Sequence, residues 1–326
     1  MNQSTQHNFM LKSFMVKKVP LLSSLAGLLI LLLIAATSQL PQSTTSYILQ
    51  GATQPTMISA VDSVGGTVTH QFKAIDAITA ELSSSQVSRL SLNKPLITLF
   101  KDSGVKISNA TPDYAAKGEN HFGYDGKPDT VSWKIRNTAS IEFLPGGQLP
   151  DQHKNRDSFF PSTVKANSLH QQGITGSGIT VAVIDSGLMN INQLRHDTLG
   201  NSRIKANFIA TANNVYAANK LEDNHGHGTH VTSILANNSQ TYDSHGQFTG
   251  SYNGIAPDVS LVSVQAFDQH GQSNYSTVLN ALDFIIANKD TYGIDVLNLS
   301  FSANAITHYW NDPINRAVMR AWEAGI

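Results

Sequence analysis

The sequence predicts an α/β fold, a mostly parallel sheet flanked by helices, for the second half of the chain. Three apolar runs there have the continuity of strands that are buried on both faces, at 179–184, 259–264 and 296–301. Amphipathic helix patterns lie between and after them, at 278–286 and 313–323. Strands that alternate with helices in this way are typical of a doubly wound sheet.

The segment 45–107 predicts a smaller α+β unit that precedes this domain. Gly65-Gly66 is a helix-ending signal, the residues that follow it alternate like a half-buried strand, and Pro95 ends a second helix. The resulting order β-α-β-β-α-β is that of a ferredoxin-like fold. The predicted elements are a strand at 47–49, a helix at 57–64, strands at 67–72 and 77–82, a helix that Ser84 or Ser85 caps and that runs through Leu90, and a strand at 96–100.

The segment 108–168 has the composition of a linker. Gly, Pro, Asp and Asn are frequent, apolar periodicity is weak, and Pro145-Gly146-Gly147 is a turn signal. A long irregular segment between two folded units is an accessible substrate for proteolysis. We therefore expect a processing region here.

Composition narrows the classes of function. Of the 326 residues, 40% are hydrophobic and 14% are charged, which is typical of a globular protein. The formal net charge of −1 gives no reason to expect nucleic acid as a partner. The chain has no cysteine, which excludes disulfides, thiolate metal sites and a cysteine nucleophile.

Residues 1–40 predict export from the cytoplasm. Three lysines, the last of them Lys18, precede the apolar run at 25–36, and small residues follow it, as in a signal peptide. The alternative is an uncleaved membrane anchor at 19–36, because about 17 apolar residues are enough to span a bilayer. A cleaved signal predicts a secreted, periplasmic or cell-surface protein. An uncleaved segment predicts a protein anchored to the membrane by residues 19–36 and in contact with it only there.

Two short motifs carry the chemistry. Asp185, at the end of a predicted buried strand, is followed by Ser186-Gly187, which by itself is a common turn. A cluster of three histidines, His225, His227 and His230, comes about forty residues later. A zinc hydrolase is one alternative for that cluster, but it contains no glutamate and lacks His-Glu-x-x-His spacing. A charge relay explains both motifs together, with His227 as the base and Asp185 as the carboxylate that orients it.

These motifs resemble those of the subtilisin-like serine protease family. The matching stretches are Val181 to Gly187, Gly226 to Val231, Gly254 to Pro257 and Asp295 to Ser300, and they occur in the family's order. The resemblance makes 169–326 the N-terminal part of a peptidase domain. It implies a serine endopeptidase that acts on proteins or peptides and requires no cofactor.

The resemblance also assigns roles outside the catalytic pair. The stretch 64–72 resembles an inhibitory propeptide, which makes 45–107 an intramolecular inhibitor of the enzyme. Ser300, Phe301 and Ser302 are expected to border the substrate cleft, and Gly271-Gln272-Ser273 aligns loosely with its other wall. His230 is expected to be structural.

The sequence also departs from the family. Ser302 stands where the family has glycine. The stretch 239–252 looks inserted where many members have a calcium loop, so calcium stays an open alternative, but no calcium ligands can be read there. No Gly-Thr-Ser-Met or Gly-x-Ser-x-Gly motif occurs in the chain, so the nucleophilic serine is missing. We therefore expect a C-terminally truncated fragment that is itself inactive. The alternatives are a non-catalytic relative that binds peptides or a protease, and the zinc hydrolase.

Overall fold

The computed structural model describes residues 43–93, 96–108 and 157–326. The predicted signal or anchor segment, 1–40, and most of the predicted linker lie outside the described residues. Among the residues that are described, no helix has the length and apolarity needed to cross a membrane.

The α+β unit has the predicted element order, and its four strands form an antiparallel sheet in the order β2-β3-β1-β4. The two helices pack on this sheet over a buried core that includes Leu49, Met57 and Leu82. The elements are β1 (Thr45–Gln50), α1 (Gln54–Ser63), β2 (Thr67–Gln71), β3 (Ala77–Leu82), α2 (Ser84–Asn93) and β4 (Thr98–Lys101).

Two details of this unit differ from the sequence prediction. Ser83 caps α2, rather than Ser84 or Ser85: its backbone N–H donates to Gln86 Oε1 at 2.7 Å and its Oγ accepts from the Gln86 N–H at 3.4 Å. A further strand, β5 (Gly104–Ile107), follows the unit and was not predicted. It pairs with none of β1–β4.

The second half of the chain has the predicted α/β architecture. Its five-stranded sheet has the order β13-β6-β11-β7-β8, and only the last pair is antiparallel. All six residues of the second strand in this order are buried, as their apolar sequence predicts. The strands are β6 (Thr180–Asp185), β7 (Ile204–Ala210), β8 (Val215–Ala217), β11 (Ser260–Gln265) and β13 (Val296–Leu299).

Helices cover the sheet and short strands surround it. The helices are α3 (Phe160–Thr163), α4 (Ala166–His170), α5 (Asn192–Arg195), α6 (His227–Ala236), α7 (Tyr275–Ala287), α8 (Lys289–Tyr292) and α9 (Pro313–Glu323). The remaining strands are β9 (Gln240–Tyr242), β10 (Phe248–Tyr252), β12 (Gln272–Asn274) and β14 (Phe301–Ala303). The apolar run at 296–301, predicted as one strand, is therefore divided at Ser300 into β13 and β14.

Part of the predicted linker is folded. The helix α3 lies within the predicted linker, and α4 crosses its predicted end at residue 168. α4 packs against β10. His170, at the end of α4, lies within hydrogen-bond distance of the Ser251 hydroxyl, at 3.1 Å, and of the Ile255 carbonyl, at 2.9 Å. The sequence analysis did not predict these two helices within the linker.

A third sheet joins the two halves of the chain. The strand β5 lies between β12 and β14 and is antiparallel to both. Residues 104–107 thus complete a sheet whose outer strands both belong to the second half of the chain.

Candidate active site

Asp185 and His227 lie together at the carboxyl edge of the parallel sheet. Asp185 is the last residue of β6, and His227 is the first residue of α6. The Nδ1 of His227 is 2.7 Å from the Oδ1 of Asp185. An ionised carboxylate only accepts hydrogen bonds, so in this contact Nδ1 is the donor and Nε2 is left to accept a proton from another group. The pair has the arrangement that a general base and its orienting carboxylate require.

The two glycine-containing motifs fit against each other closely. A Cβ at Gly228 would lie 2.2 Å from the carbonyl oxygen of Gly187, and a Cβ at Gly187 would lie 2.1 Å from that of Glu222. The φ of Gly187 is also +124°, a region that favours glycine. The first turn of α6 therefore approaches the end of β6 through backbone contacts that larger residues would prevent.

Among the described residues, hydrogen bonds reach only one of the two carboxylate oxygens of Asp185. Its Oδ1 also accepts from the Ser186 N–H, at 2.7 Å. Its Oδ2 is buried and has no hydrogen-bond partner within the described ranges. Because the Asp185 side chain is only 2% exposed, little solvent screens its attraction for a protonated His227 ring. This geometry suits a carboxylate that stabilises an imidazolium.

Asp223 connects the aspartate motif to the histidine motif. Its Oδ1 accepts from the Ser186 hydroxyl at 2.9 Å and from the Gly226 N–H at 2.7 Å. Its Oδ2 accepts from the N–H and the hydroxyl of Thr229, at 2.8 and 2.7 Å. Burial by itself would raise the pKa of Asp223, but these hydrogen bonds outweigh it and lower the pKa below its ordinary value.

The sequence prediction did not include Asp223. Asp223 lies three residues before Gly226, the N-cap of α6, and therefore outside the position at which a capping residue is expected, so no sequence signal pointed to it. The Gly226 N–H and Thr229 N–H at the helix start are two of the donors that it satisfies.

The other two histidines of the cluster do not join the pair in a metal site. The His225 and His227 ring centroids are 6.3 Å apart, and His230 is exposed on α6. No group of three or more His, Asp or Glu side chains in the described part of the chain is arranged to hold a metal ion. The zinc hydrolase therefore has no ligand set among these residues.

Ser300, Phe301 and Ser302 border a groove that β5 occupies. Phe301 is paired with Ile107, and the Ser300 carbonyl accepts from the Ser108 N–H at 3.1 Å. On the opposite side of β5, the Gly271 carbonyl accepts from the Ile107 N–H, also at 3.1 Å. The two segments that the sequence analysis expected as cleft walls thus both bind residues 104–108.

Comparison with known proteins agrees with this geometry. Residues 176–326 match the model of the subtilase family. This part of the chain is similar to the subtilase family. Subtilisin E of Bacillus subtilis (strain 168) is 28% identical over 233 residues, which are 68% of this chain and 55% of that protein. Subtilisin of Bacillus pumilus is 36% identical over 141 residues, or 43% of this chain and 42% of that protein.

A solved structure extends the comparison to the fold. Fervidolysin from Fervidobacterium pennivorans, a keratinolytic enzyme related to subtilisin, aligns with a TM-score of 0.51 over 87% of this chain and 39% of its own. At 15% sequence identity this likeness shows the subtilisin-like fold alone. The chain spans about half the length of the curated subtilases that it matches, 55% of subtilisin E for example.

Proposed function

We propose that this protein is a secreted serine endopeptidase that is synthesised as a self-inhibited precursor. The hydrogen bond between His227 and Asp185, beside a groove bounded by two strands, is the observation that carries the proposal. Because the alignment covers only 55% of subtilisin E, we propose that the active species is a longer product of the complete reading frame, which also carries the nucleophilic serine.

In the proposed reaction His227 accepts and returns one proton in each of two steps. A serine hydroxyl attacks the carbonyl carbon of the peptide bond, and its proton passes to Nε2 of His227. The C–N bond breaks as His227 gives that proton to the leaving amine. Water then attacks the acyl ester, its proton passes through His227 to the serine oxygen, and the acid is released. Asp185 stays ionised and stabilises the imidazolium. No metal ion or cofactor takes part in these steps.

We propose that residues 45–107 form the propeptide and inhibit the enzyme by occupying its cleft. Support comes from β5, which has the antiparallel pairing to both walls that an extended peptide substrate would have. A substrate cannot bind there until β5 leaves. The enzyme's own propeptide is thus its first partner, and proteins or peptides are the substrates of the enzyme.

Contacts outside the cleft support a stable docked propeptide. The carboxylate of Asp283, in α7, accepts from the backbone N–H groups of Lys73, Ala74 and Ile75 at 2.8, 2.6 and 3.1 Å. In the other direction, the carboxylate of Asp102 accepts from the N–H and hydroxyl of Ser276, at 3.0 and 2.6 Å, in the first turn of α7. Each part of the chain therefore satisfies backbone donors of the other.

Export is supported by the predicted signal segment and by the relatives. One of them, 28% identical over 189 residues, is the minor extracellular protease Epr of Bacillus subtilis (strain 168). We propose that the mature enzyme acts outside the cytoplasm.

The decisive experiment is the variant His227→Ala in the product of the complete reading frame. We expect hydrolysis of casein and release of the propeptide to be lost, with kcat reduced by about 10⁶-fold, the order of magnitude that removal of this base causes in a subtilisin. His245→Ala is the control, because that side chain is 85% exposed in the β9–β10 loop.

Two results would contradict the proposal. One is normal casein hydrolysis by His227→Ala, which would remove His227 as the base. The other is a wild-type protein that binds peptides but neither cleaves casein nor reacts with a serine-directed sulfonyl fluoride, which would favour the non-catalytic binding protein.

A further inference from the structure

The groove binds alternate side chains of β5. Val105 and Ile107 are fully buried, whereas Lys106 and Ser108 on either side of Ile107 are exposed. Both buried residues belong to the same apolar cluster as Phe267 at the cleft. An extended peptide in this groove therefore offers every second side chain to the protein and every other one to solvent.

The space around Ile107 is bounded by two residues that the catalytic steps do not use. A Cβ placed on Gly271 would lie 2.6 Å from both Cγ1 and Cδ1 of Ile107 and 3.1 Å from Nε2 of His225. The Ile107 side chain and the His225 ring thus face the same small volume over the Gly271 backbone. The absence of a side chain at 271 leaves the room that Ile107 fills.

This volume lies at the catalytic end of the groove. The ring of His225 is 6.3 Å, centroid to centroid, from that of His227. The next residue of the bound strand, Ser108, donates its N–H to the carbonyl of Ser300. Ser300 follows Leu299, which is paired in the sheet with Ile184, the residue before Asp185. The side chain at the Ile107 position is therefore bound next to the reacting groups.

We propose that Gly271 and His225 are specificity-determining residues that form a pocket for a branched aliphatic side chain at the position held by Ile107. The substrates are then extended peptides with isoleucine or valine there and with no requirement at the exposed Lys106 position. This inference rests on the proposed peptidase function of the same site.

The test is a peptide series with the sequence of residues 104–108, Gly-Val-Lys-Ile-Ser, carrying a chromogenic amide on the final carboxyl group. The enzyme is the self-processed product of the complete reading frame, and casein hydrolysis is measured in parallel. Replacing isoleucine by alanine is expected to lower kcat/KM by about 100-fold, since loss of one methylene in an apolar pocket already costs 10–200-fold. Replacing lysine by alanine is expected to change kcat/KM less than about threefold, because that side chain is solvent-exposed.

Two enzyme variants test the walls of the pocket. Gly271→Ala should fill the volume and lower the ratio of kcat/KM for the isoleucine peptide to that for the alanine peptide by about tenfold. His225→Ala should widen it and raise the ratio for a phenylalanine peptide over the isoleucine peptide. Because ratios between peptides are compared, backbone strain at Gly271 and any indirect effect on His227 cancel.

The outcomes separate the two proposals. Cleavage of casein with the expected ratios supports the inference. Cleavage of casein with equal rates for the isoleucine and alanine peptides, or with unchanged ratios in both variants, overturns the pocket and leaves the peptidase function in place. Absence of casein cleavage overturns the peptidase function and the pocket with it.

Discussion

Asp223 links the backbone segments that carry Asp185 and His227, the proposed catalytic pair. Its carboxylate binds Ser186, directly after Asp185, and Gly226, directly before His227. A shift of either backbone would lengthen the hydrogen bond of 2.7 Å between the pair. Positioning of this kind matters because small displacements of a base reduce catalysis strongly.

We predict that Asp223→Asn lowers stability at neutral pH and flattens its acid dependence. An amide accepts with only one oxygen and faces donors with its NH₂ group, so we expect a loss of about 2 kcal/mol in the free energy of unfolding at pH 7. The native pKa of Asp223 is depressed below its ordinary value. Its stabilisation is therefore complete above the unfolded pKa of about 3.9 and disappears as the pH falls through the native pKa.

Urea unfolding between pH 7 and pH 2.5 checks this prediction. The difference between wild type and Asp223→Asn should shrink as the pH falls below about 4. Asp290→Asn, which alters a fully exposed carboxylate, should leave the unfolding curves unchanged. A difference between wild type and Asp223→Asn that stays constant over the whole range would contradict the assigned hydrogen bonds.

At the scale of elements, the helix α7 connects the α+β unit to the second half of the chain. Asp102, which follows β4, accepts from Ser276 in the first turn of α7. Asp283, about two turns further along the same helix, binds the turn at 73–75. Asp283 is only 3% exposed. Its carboxylate accepts hydrogen bonds from three backbone N–H groups. These N–H groups would lose their acceptor if the side chain were shortened.

We predict that Asp283→Ala loosens this turn. Unpaired N–H groups in a partly buried site cost about 1–3 kcal/mol each, so amide exchange at residues 73–75 should become faster by about 100-fold. Hydrogen exchange followed by mass spectrometry measures this directly. Asp283→Asn, which keeps one acceptor oxygen, should give an intermediate rate. Unchanged protection of the turn in Asp283→Ala would show that other contacts hold it.

At the scale of the whole molecule, the sequence predicted those parts of the fold that depend on local pattern. β6 and β11 were predicted because they are continuous apolar runs. α9 was predicted because its apolar residues recur with the spacing of one helix face. β7 was missed, since Lys205 and Asn207 interrupt its apolar residues and its partial burial comes from neighbouring strands. Asp185 and His227 were predicted from motifs; the structure places their side chains 2.7 Å apart, and their catalytic roles stay a prediction.

The position of β5 could not be read from the sequence. It has four residues, and its partners β12 and β14 begin more than 160 residues later in the chain. Strand pairing over such a distance depends on the folded peptidase-like unit, which presents two free strand edges, rather than on any pattern within residues 104–107. The same holds for Asp283 and Asp102, whose partners lie on the other half of the chain.

We predict that Val105→Asp releases β5 while both folded units remain intact. Val105 is fully buried between β12 and β14, and an unpaired carboxylate there costs about 4 kcal/mol. The α+β unit has a separate core around Met57, and β6 and β11 are held by their own sheet. Loss of hydrogen-exchange protection should therefore be confined to residues 104–107, 272–274 and 301–303.

Lys106→Asp is the matched control, because it places the same charge on the exposed face of the same strand. It should preserve protection in all three segments. Protection lost from β6 and β11 as well would mean that Val105 belongs to a core on which the whole fold depends. If Val105→Asp loses hydrogen-exchange protection only at the groove, both edge strands of the groove are free to bind a substrate. In the product of the complete reading frame, Val105→Asp should then cleave casein before the proposed propeptide has been degraded.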